Sequence, residues 1–263
     1  MPRPLVYAHR GGAKLRPENT LASFDNGLAL GADGLELDVR LSKDGQVVVH
    51  HDAALDRTTD AAGLVADRTA AELGNVDAGY RFQAGSGGET TFPFRGAGIG
   101  VPTLAAVFER YPGVPLIIEL KLASAELARK TLELATAAGA LQRVALGSFS
   151  GEALRAARRI APSVRTGAGR EETRWALYRS WVRWPLGRPT YQEFQVPERS
   201  GTTTVVSRRF VEHAHRAGVA VKVWTVDEER DMHRLLDWGV DGLISDRPDI
   251  AVRVVSERAS RRS

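Results

Sequence analysis

The 263-residue chain contains no cysteine, which excludes disulfides and thiolate-held metal centres and leaves carboxylates, carbonyls or histidine to hold any ion. No stretch of about eighteen apolar residues occurs, so no membrane-spanning helix is expected. Met1 to Tyr7 also lacks the apolar core and small-residue cleavage site of a secretory leader; a cytoplasmic protein is the expectation. Aromatics make up only 7% of residues, and the arginines are scattered rather than aligned with them in one stripe, which argues against a nucleic-acid partner. Excess charge is modest at +4, with Arg258, Arg261 and Arg262 crowded near the C-terminus, and suits phosphorylated or anionic partners. With 43% hydrophobic and 26% charged residues, the chain is too apolar for disorder and has the length of a single α/β barrel.

Short β-branched runs alternate with longer helix-like segments, the pattern of β/α units around a parallel sheet. Strands are expected at 6–9, 35–39, 47–50, 116–120, 144–148, 164–167, 219–225 and 242–245, with 193–196 as a short accessory strand. Helices fit at 20–30, 103–110, 126–138, 151–160, 207–217 and 228–238, four of them followed by a stop glycine (Gly31, Gly139, Gly218, Gly239). The fold expected is a (β/α)8 TIM barrel forming one domain over 1–263. Two places depart from regularity. Only Arg40 to Gln46, with its Asp44-Gly45 turn signal, joins the second and third strands, leaving no room for a crossover helix. Residues 53–100, loaded with Gly, Asp and Thr, are too many for a bare loop and are expected to form an inserted subdomain.

The first strand ends in Ala8-His9-Arg10-Gly11-Gly12. A histidine there can exchange protons near neutral pH, and the arginine beside it can grip phosphate; a buried histidine at an ordinary turn is the plain alternative. In Pro17-Glu18-Asn19-Thr20, either Asn19 or Thr20 fits a helix N-cap, while Glu18 can still face the site. Glu36-Leu37-Asp38 puts two carboxylates on one face of a strand, an arrangement that is costly without a compensating cation. A divalent ion, Ca²⁺ or Mg²⁺ with all-oxygen ligands, is one solution; an acidic outer face is the other. Of His50-His51-Asp52, one histidine can face the barrel mouth and the other away. Glu119-Leu120-Lys121 repeats the two-apart geometry, giving either a further ligand with a phosphate-neutralising lysine or an interior ion pair.

Trp224-Thr225-Val226-Asp227 and Gly239 to Pro248 close later strands at the same rim, and Trp224 can offer a flat wall to a glycerol or alcohol group or simply pack in the core. Arg174 to Pro189 interleaves Trp175, Trp181 and Trp184 with Arg174, Arg179, Arg183 and Arg188. Peripheral membrane contact is one reading of it, and a barrel-packing helix with a solvated arginine face is the other.

In this order and spacing, His9-Arg10-Gly11, Pro17 to Thr20, Glu36-Leu37-Asp38, His51-Asp52, Glu119-Leu120-Lys121, Trp224-Thr225-Val226 and Gly239 to Pro248 resemble the glycerophosphodiester phosphodiesterase family over nearly the whole chain. The resemblance implies a TIM-barrel hydrolase that converts a small-molecule glycerophosphodiester to an alcohol and sn-glycerol 3-phosphate. It implies that Glu36, Asp38 and Glu119 hold one divalent cation, Ca²⁺ or Mg²⁺, that His9 and His51 are general acid and base, and that Arg10 and Lys121 bind the phosphate. The nucleophile is either water or the glycerol C2 hydroxyl. Two positions depart from the family pattern: Asp227 where Asn is frequent, and Ser245 where Thr is. Cleavage of intact lysophospholipids and a catalytically silent binder of glycerophosphate headgroups are the alternative readings.

Overall fold

Most strands carry apolar residues on alternate positions facing the helices, and the opposite alternation decides what lines the interior. The computed structural model describes residues 3–84 and 91–260. Its strands are β1 (Leu5–His9), β2 (Gly34–Leu41), β3 (Val47–Val49), β4 (Leu116–Leu120), β5 (Val144–Gly147), β6 (Arg165–Thr166), β7 (Glu193–Pro197), β8 (Arg199–Ser200), β9 (Thr203–Thr204), β10 (Ala220–Trp224) and β11 (Gly242–Ser245). The helices are α1 (Leu21–Ala29), α2 (Ala70–Gly74), α3 (Leu104–Arg110), α4 (Ala125–Ala137), α5 (Gly151–Ile160), α6 (Arg170–Val182), α7 (Arg208–Arg216), α8 (Glu229–Trp238) and α9 (Pro248–Ser260). Each of the four stop glycines lies at positive φ.

The main sheet runs β6-β5-β4-β2-β1-β11-β10-β7, every neighbouring pair parallel. Its two ends meet where Gly167 bridges Glu193, with Ala168 N donating to Glu193 O at 2.9 Å and Gln192 N to Thr166 O at 3.0 Å. The eight parallel strands thus form a nearly closed (β/α)8 barrel. Among the described residues, no helix is long and apolar enough to cross a membrane.

The membership of the barrel differs from expectation at one strand. Val47–Val49 lies outside it, paired antiparallel to β2 with Val39 opposite Val49, because the short Arg40–Gln46 connection permits only a hairpin. The eighth place belongs to β7, expected only as a short accessory strand; Glu193 and Gln195 interrupt its apolar run. Both side chains point into the barrel, where Lys222 offsets the charge of Glu193.

Outward residues of β1, β2, β4 and β5, such as Ala8, Leu37, Ile118 and Leu146, pack with α1, α3, α4 and α5. Phe194, Val196, Val221, Val223 and Leu243 do the same with the helices of the other half. Inside, Tyr7, Ile117, Ala145 and Ile244 form a small apolar layer with Trp224 packed against it. Beyond β3, Leu55, Val65, Leu73, Val76, Ala78 and Val101 gather around Val48 into a separate apolar cluster within the inserted segment. Of the C-terminal arginines, Arg258 pairs with Asp237, while Arg261 and Arg262 lie outside the described residues.

Lys222 and Glu193 form the buried ion pair of the interior, with Lys222 Nζ donating to both carboxylate oxygens at 2.9 and 2.8 Å. Arg165, at 3.6 Å, is the further cation near Glu193. Removing Lys222 leaves the fully buried Glu193 with Arg165 at 3.6 Å as its remaining cation, in place of a doubly hydrogen-bonded pair. Lys222→Met is therefore expected to destabilise the fold by about 3–5 kcal/mol in urea unfolding, and Glu193→Leu added to it to recover much of that loss. A single variant as stable as wild type would show that the pair contributes little.

Candidate active site

Two residues further along three of the strands, the apolar interior gives way to polar groups: Tyr7 is followed at this spacing by His9, Ile117 by Glu119 and Ile244 by Asp246, while Lys222 is followed by Trp224. In a parallel barrel, this places them at the carboxyl ends of the strands, the rim where barrel active sites assemble.

Glu36 and Asp38 face this rim from β2, and the register sets Asp38 beside Glu119 of β4. Asp38 is almost fully buried and is the hub of the site. Lys121 Nζ lies 2.8 Å from its Oδ1, Arg10 Nε lies 3.1 Å from its Oδ2, and Asn19 Nδ2 donates to Oδ2 at 2.8 Å. Burial works against its ionisation, but Lys121 and Arg10 outweigh burial and hold the Asp38 carboxyl below its usual range.

Its neighbours behave oppositely. Burial, reinforced by Asp38, pushes Glu36 up to about 7. Burial also pushes Glu119 up to about 8, with Asp38 and Glu36 adding to the effect and Lys121 opposing it. Among the described residues, neither Glu36 nor Glu119 pairs with a lysine or arginine side chain; Glu36 accepts from the Arg10 backbone N–H at 3.2 Å and lies 3.7 Å from His9 Nε2. Glu119 has room because β5 carries glycine beside it: a Cβ on Gly147 would stand 2.4 Å from Glu119 Oε2 and 2.4 Å from Gln195 Oε1.

Each histidine is backed by an aspartate. His9 Nδ1 donates to Asp246 Oδ1 at 2.7 Å and His51 Nδ1 to Asp52 Oδ1 at 2.6 Å, so both rings are oriented through Nδ1 and keep Nε2 for chemistry. Burial alone would lower the pKa of His9, but Glu36 and Asp246 raise it overall. For His51, burial prevails with help from Arg10 and Lys121, and the pKa falls despite Asp38 and Asp52. His50 faces away from the mouth, with Nδ1 on the Asp52 carbonyl at 3.0 Å and Nε2 3.2 Å from Thr58 Oγ1.

Local backbone explains how these groups are presented. Arg10 and Asn19 both adopt left-handed φ, +50° and +58°, uncommon for such residues and concentrated here at the rim. Gly11 permits the close passage of α1, since a Cβ there would stand 2.6 Å from the Ser23 backbone. Of the two candidate caps, Thr20 caps α1 by accepting from Ser23 N, and Asn19 instead clamps Asp38 through both its amide N–H and its Oδ1.

Supporting residues surround these groups, and Glu18 does face the site. Glu18 accepts from Arg10 Nη1 at 2.9 Å and from Arg57 Nη1 and Nη2 at 2.8 and 2.7 Å, and Arg57, from the inserted segment, also holds Asp52. Arg40 donates to the His51 carbonyl at 2.9 and 2.8 Å. Charge complementarity between Arg57 and two rim carboxylates is not a signal that spacing reveals. The two departures from the family pattern touch each other: Asp227 Oδ1 accepts from Ser245 Oγ at 3.0 Å and from the Asp246 backbone N–H at 2.8 Å, with Lys14 pairing the other oxygen at 3.0 Å. Asp227 thereby positions the aspartate behind His9. Trp224 is half-buried and meets the exposed Phe149 edge-on at 6.0 Å, forming an aromatic wall within reach of Lys121.

The arrangement gathers His9, His51, Arg10, Lys121, Glu36, Asp38 and Glu119 at one rim. As placed, no three His, Asp or Glu side chains among the described residues stand together so as to hold an ion, and Asp38 is engaged by Lys121, Arg10 and Asn19. The donor set nevertheless fits a hard cation: Glu36 and Glu119 are oxygen donors whose ionisation is disfavoured by burial and by neighbouring carboxylates, and they flank a third carboxylate.

A parallel barrel with two aspartate-backed histidines, Arg10 and Lys121 gathered at its carboxyl rim is an enzyme fold with its polar groups at one site. The model of the glycerophosphoryl diester phosphodiesterase family matches residues 9–250, and the chain belongs to that family as an enzyme. It is 35% identical to a glycerophosphodiester phosphodiesterase of Caldanaerobacter subterraneus subsp. tengcongensis, over 96% of this chain and 98% of that protein. It is 32% identical to a probable glycerophosphodiester phosphodiesterase 2 of Mycobacterium tuberculosis, over 97% and 91%. Among solved structures, an Oleispira antarctica phosphodiesterase in complex with the product sn-glycerol-3-phosphate superposes with a TM-score of 0.75 at 26% identity, covering 97% of each chain.

Proposed function

We propose that the enzyme hydrolyses glycerophosphodiesters to an alcohol and sn-glycerol 3-phosphate, with His9 and His51 as the acid–base pair and one divalent cation, Ca²⁺ or Mg²⁺, held by Glu36, Asp38 and Glu119. The observation that carries this reading is the meeting of two aspartate-backed histidines with Arg10 and Lys121 around Asp38. Support also comes from family membership and from the product named in the Oleispira complex.

Arg10 and Lys121 supply the positive charge that gathers a phosphodiester and stabilises charge on its oxygens, the effect that usually dominates such reactions. The cation, when bound, adds Lewis-acid stabilisation of those same oxygens. His51, with its lowered pKa, is neutral and fit to take a proton from the nucleophile, whether water or the glycerol C2 hydroxyl. His9, whose protonated form Glu36 and Asp246 favour, is fit to give one to the leaving alkoxide. Asp52 and Asp246 keep the rings aimed. Trp224 and Phe149 offer the apolar wall against which a glycerol or alcohol carbon skeleton would lie, and the inserted segment, tied to the rim by Arg57, forms part of the same domain and of the substrate mouth.

The test is a coupled assay for released glycerol 3-phosphate across a panel of glycerophosphodiesters, run after EDTA treatment and again with individual metals restored. Turnover of at least one substrate, lost with EDTA and restored by Ca²⁺ or Mg²⁺, is expected. Metal-independent turnover would overturn the cation assignment, and the absence of glycerol 3-phosphate from every substrate would overturn the reaction.

A further inference from the structure

On the outer wall of the barrel, α6 turns one face to the core through Ala176, Leu177 and Ser180 and a different face to solvent. Trp175, Tyr178 and Trp181 lie on that exposed face at 62%, 46% and 48% exposure, followed by Val182 and Trp184 at 73% and 65%. Their rings touch in sequence, Trp175 to Tyr178 at 6.2 Å and Tyr178 to Trp181 at 5.3 Å, so they form one continuous aromatic patch. Scattered exposed apolar residues need no explanation, but a contiguous aromatic strip does.

Beside the C-terminal end of this strip, α6 and α7 frame a half-open cavity of about 440 Å³ lined by Ser180, Arg183, Arg208, Arg209, Arg216, His213 and Glu212. Four guanidinium groups face one carboxylate. Glu212 is paired only loosely, 3.8 Å from Arg216, and among the described residues Arg183 and Arg208 have no ion-pair partner. His213, which also lines this cavity, is 5% exposed, and its Nε2 is buried without a hydrogen-bond partner. A buried polar nitrogen without a partner is costly unless a ligand completes it. Arginine forks and an imidazole N–H match the oxygens of a phosphate group.

We propose that this cavity is a phosphate site and that its occupant is the headgroup of an anionic phospholipid, the adjoining tryptophan strip resting in the bilayer interface. Tryptophan and tyrosine prefer that boundary, with rings against the acyl region and polar edges in water. Arginines next to them neutralise lipid phosphates. The lipid source is favoured over a soluble phosphate because the aromatic strip continues directly from the arginine cavity: Arg209 reaches back to the Trp181 carbonyl at 3.4 Å. None of these residues belongs to the catalytic rim, and the inference does not depend on the reaction proposed there.

Co-sedimentation of the full chain with phosphatidylcholine vesicles, with and without about 30 mol% phosphatidylserine, tests it. Binding is expected to the anionic vesicles only. At roughly fivefold per arginine, Arg183→Gln with Arg208→Gln is expected to weaken partitioning about twentyfold, and Trp181→Ser with Trp184→Ser about fivefold or more. Hydrolysis of a soluble substrate should be unchanged in both. Arg230→Gln with Arg159→Gln, equal in charge but remote from the cavity, serves as control. Equal weakening by the control would overturn the site in favour of diffuse charge attraction. Failure to bind anionic vesicles would overturn the membrane assignment, as would chemical-shift changes at His213 with inorganic phosphate but no vesicle binding, which would indicate a soluble ligand.

Discussion

His51→Ala is expected to lower kcat on an alkyl glycerophosphodiester by about 10²- to 10⁴-fold, and His9→Ala by a comparable factor, with the fold of both intact. The double variant should fall little further than the worse single one, because groups acting on one transition state are not additive. What separates the two is the leaving group. A glycerophosphodiester of p-nitrophenol departs without needing a proton, so His9→Ala should recover most of its loss on that substrate and His51→Ala should not. The pH profile must agree with these roles. The active form has His51 neutral and His9 protonated; His51 sits below and His9 above the usual histidine value. Activity should therefore hold across neutral pH, fall on the acid side as His51 protonates and fall on the alkaline side as His9 deprotonates. Loss of the acid limb in a more weakly basic replacement of His9, rather than of His51, would reverse the assignment, and near-wild-type activity in both alanine variants would end it.

The reach of sequence reasoning followed the reach of local periodicity. Glu36 with Asp38 and Glu119 with Lys121 were legible because residues two apart on a strand share a face whatever the rest of the chain does. The barrel itself was legible from alternation, and the helix ends from caps and stop glycines. One strand was misplaced for a physical reason: β7 carries Glu193 and Gln195, whose polarity is tolerable only because Lys222 comes from β10 to meet Glu193, and that compensation is invisible locally. The valine run of β3, attractive by composition, folds back as a hairpin instead. The same limit applied at the site. Asp246 could be placed at the rim but not assigned to His9, from which 237 residues separate it. Arg57 lay in a segment with no periodic signal, yet it couples Glu18 to Asp52 and so braces both Arg10 and His51.

Charge balance at the rim leads to the other large expected effect, on the metal-free and metal-loaded protein. Glu36 and Glu119 are raised to about 7 and about 8, well above an unfolded glutamate. Between the unfolded and folded values, the native state binds more protons than the unfolded chain, so stability is greatest below the unfolded pKa and is lost as pH rises through 7 and 8. The EDTA-treated enzyme should accordingly lose Tm on going from mildly acidic to mildly alkaline buffer. Ca²⁺ or Mg²⁺ supplies the missing positive charge, and its binding competes with those same protons. The increase in Tm on adding metal should then grow with pH, and the metal affinity with it. Glu36→Gln removes one charge from the cluster. In this variant the EDTA-treated Tm should depend less on pH, metal should stabilise it less, and turnover under saturating substrate should fall by at least about 10²-fold, as expected for loss of electrostatic stabilisation. The two readouts are independent: a variant that kept the full pH-dependent stabilisation by metal would place the cation on other ligands even if its activity were lost.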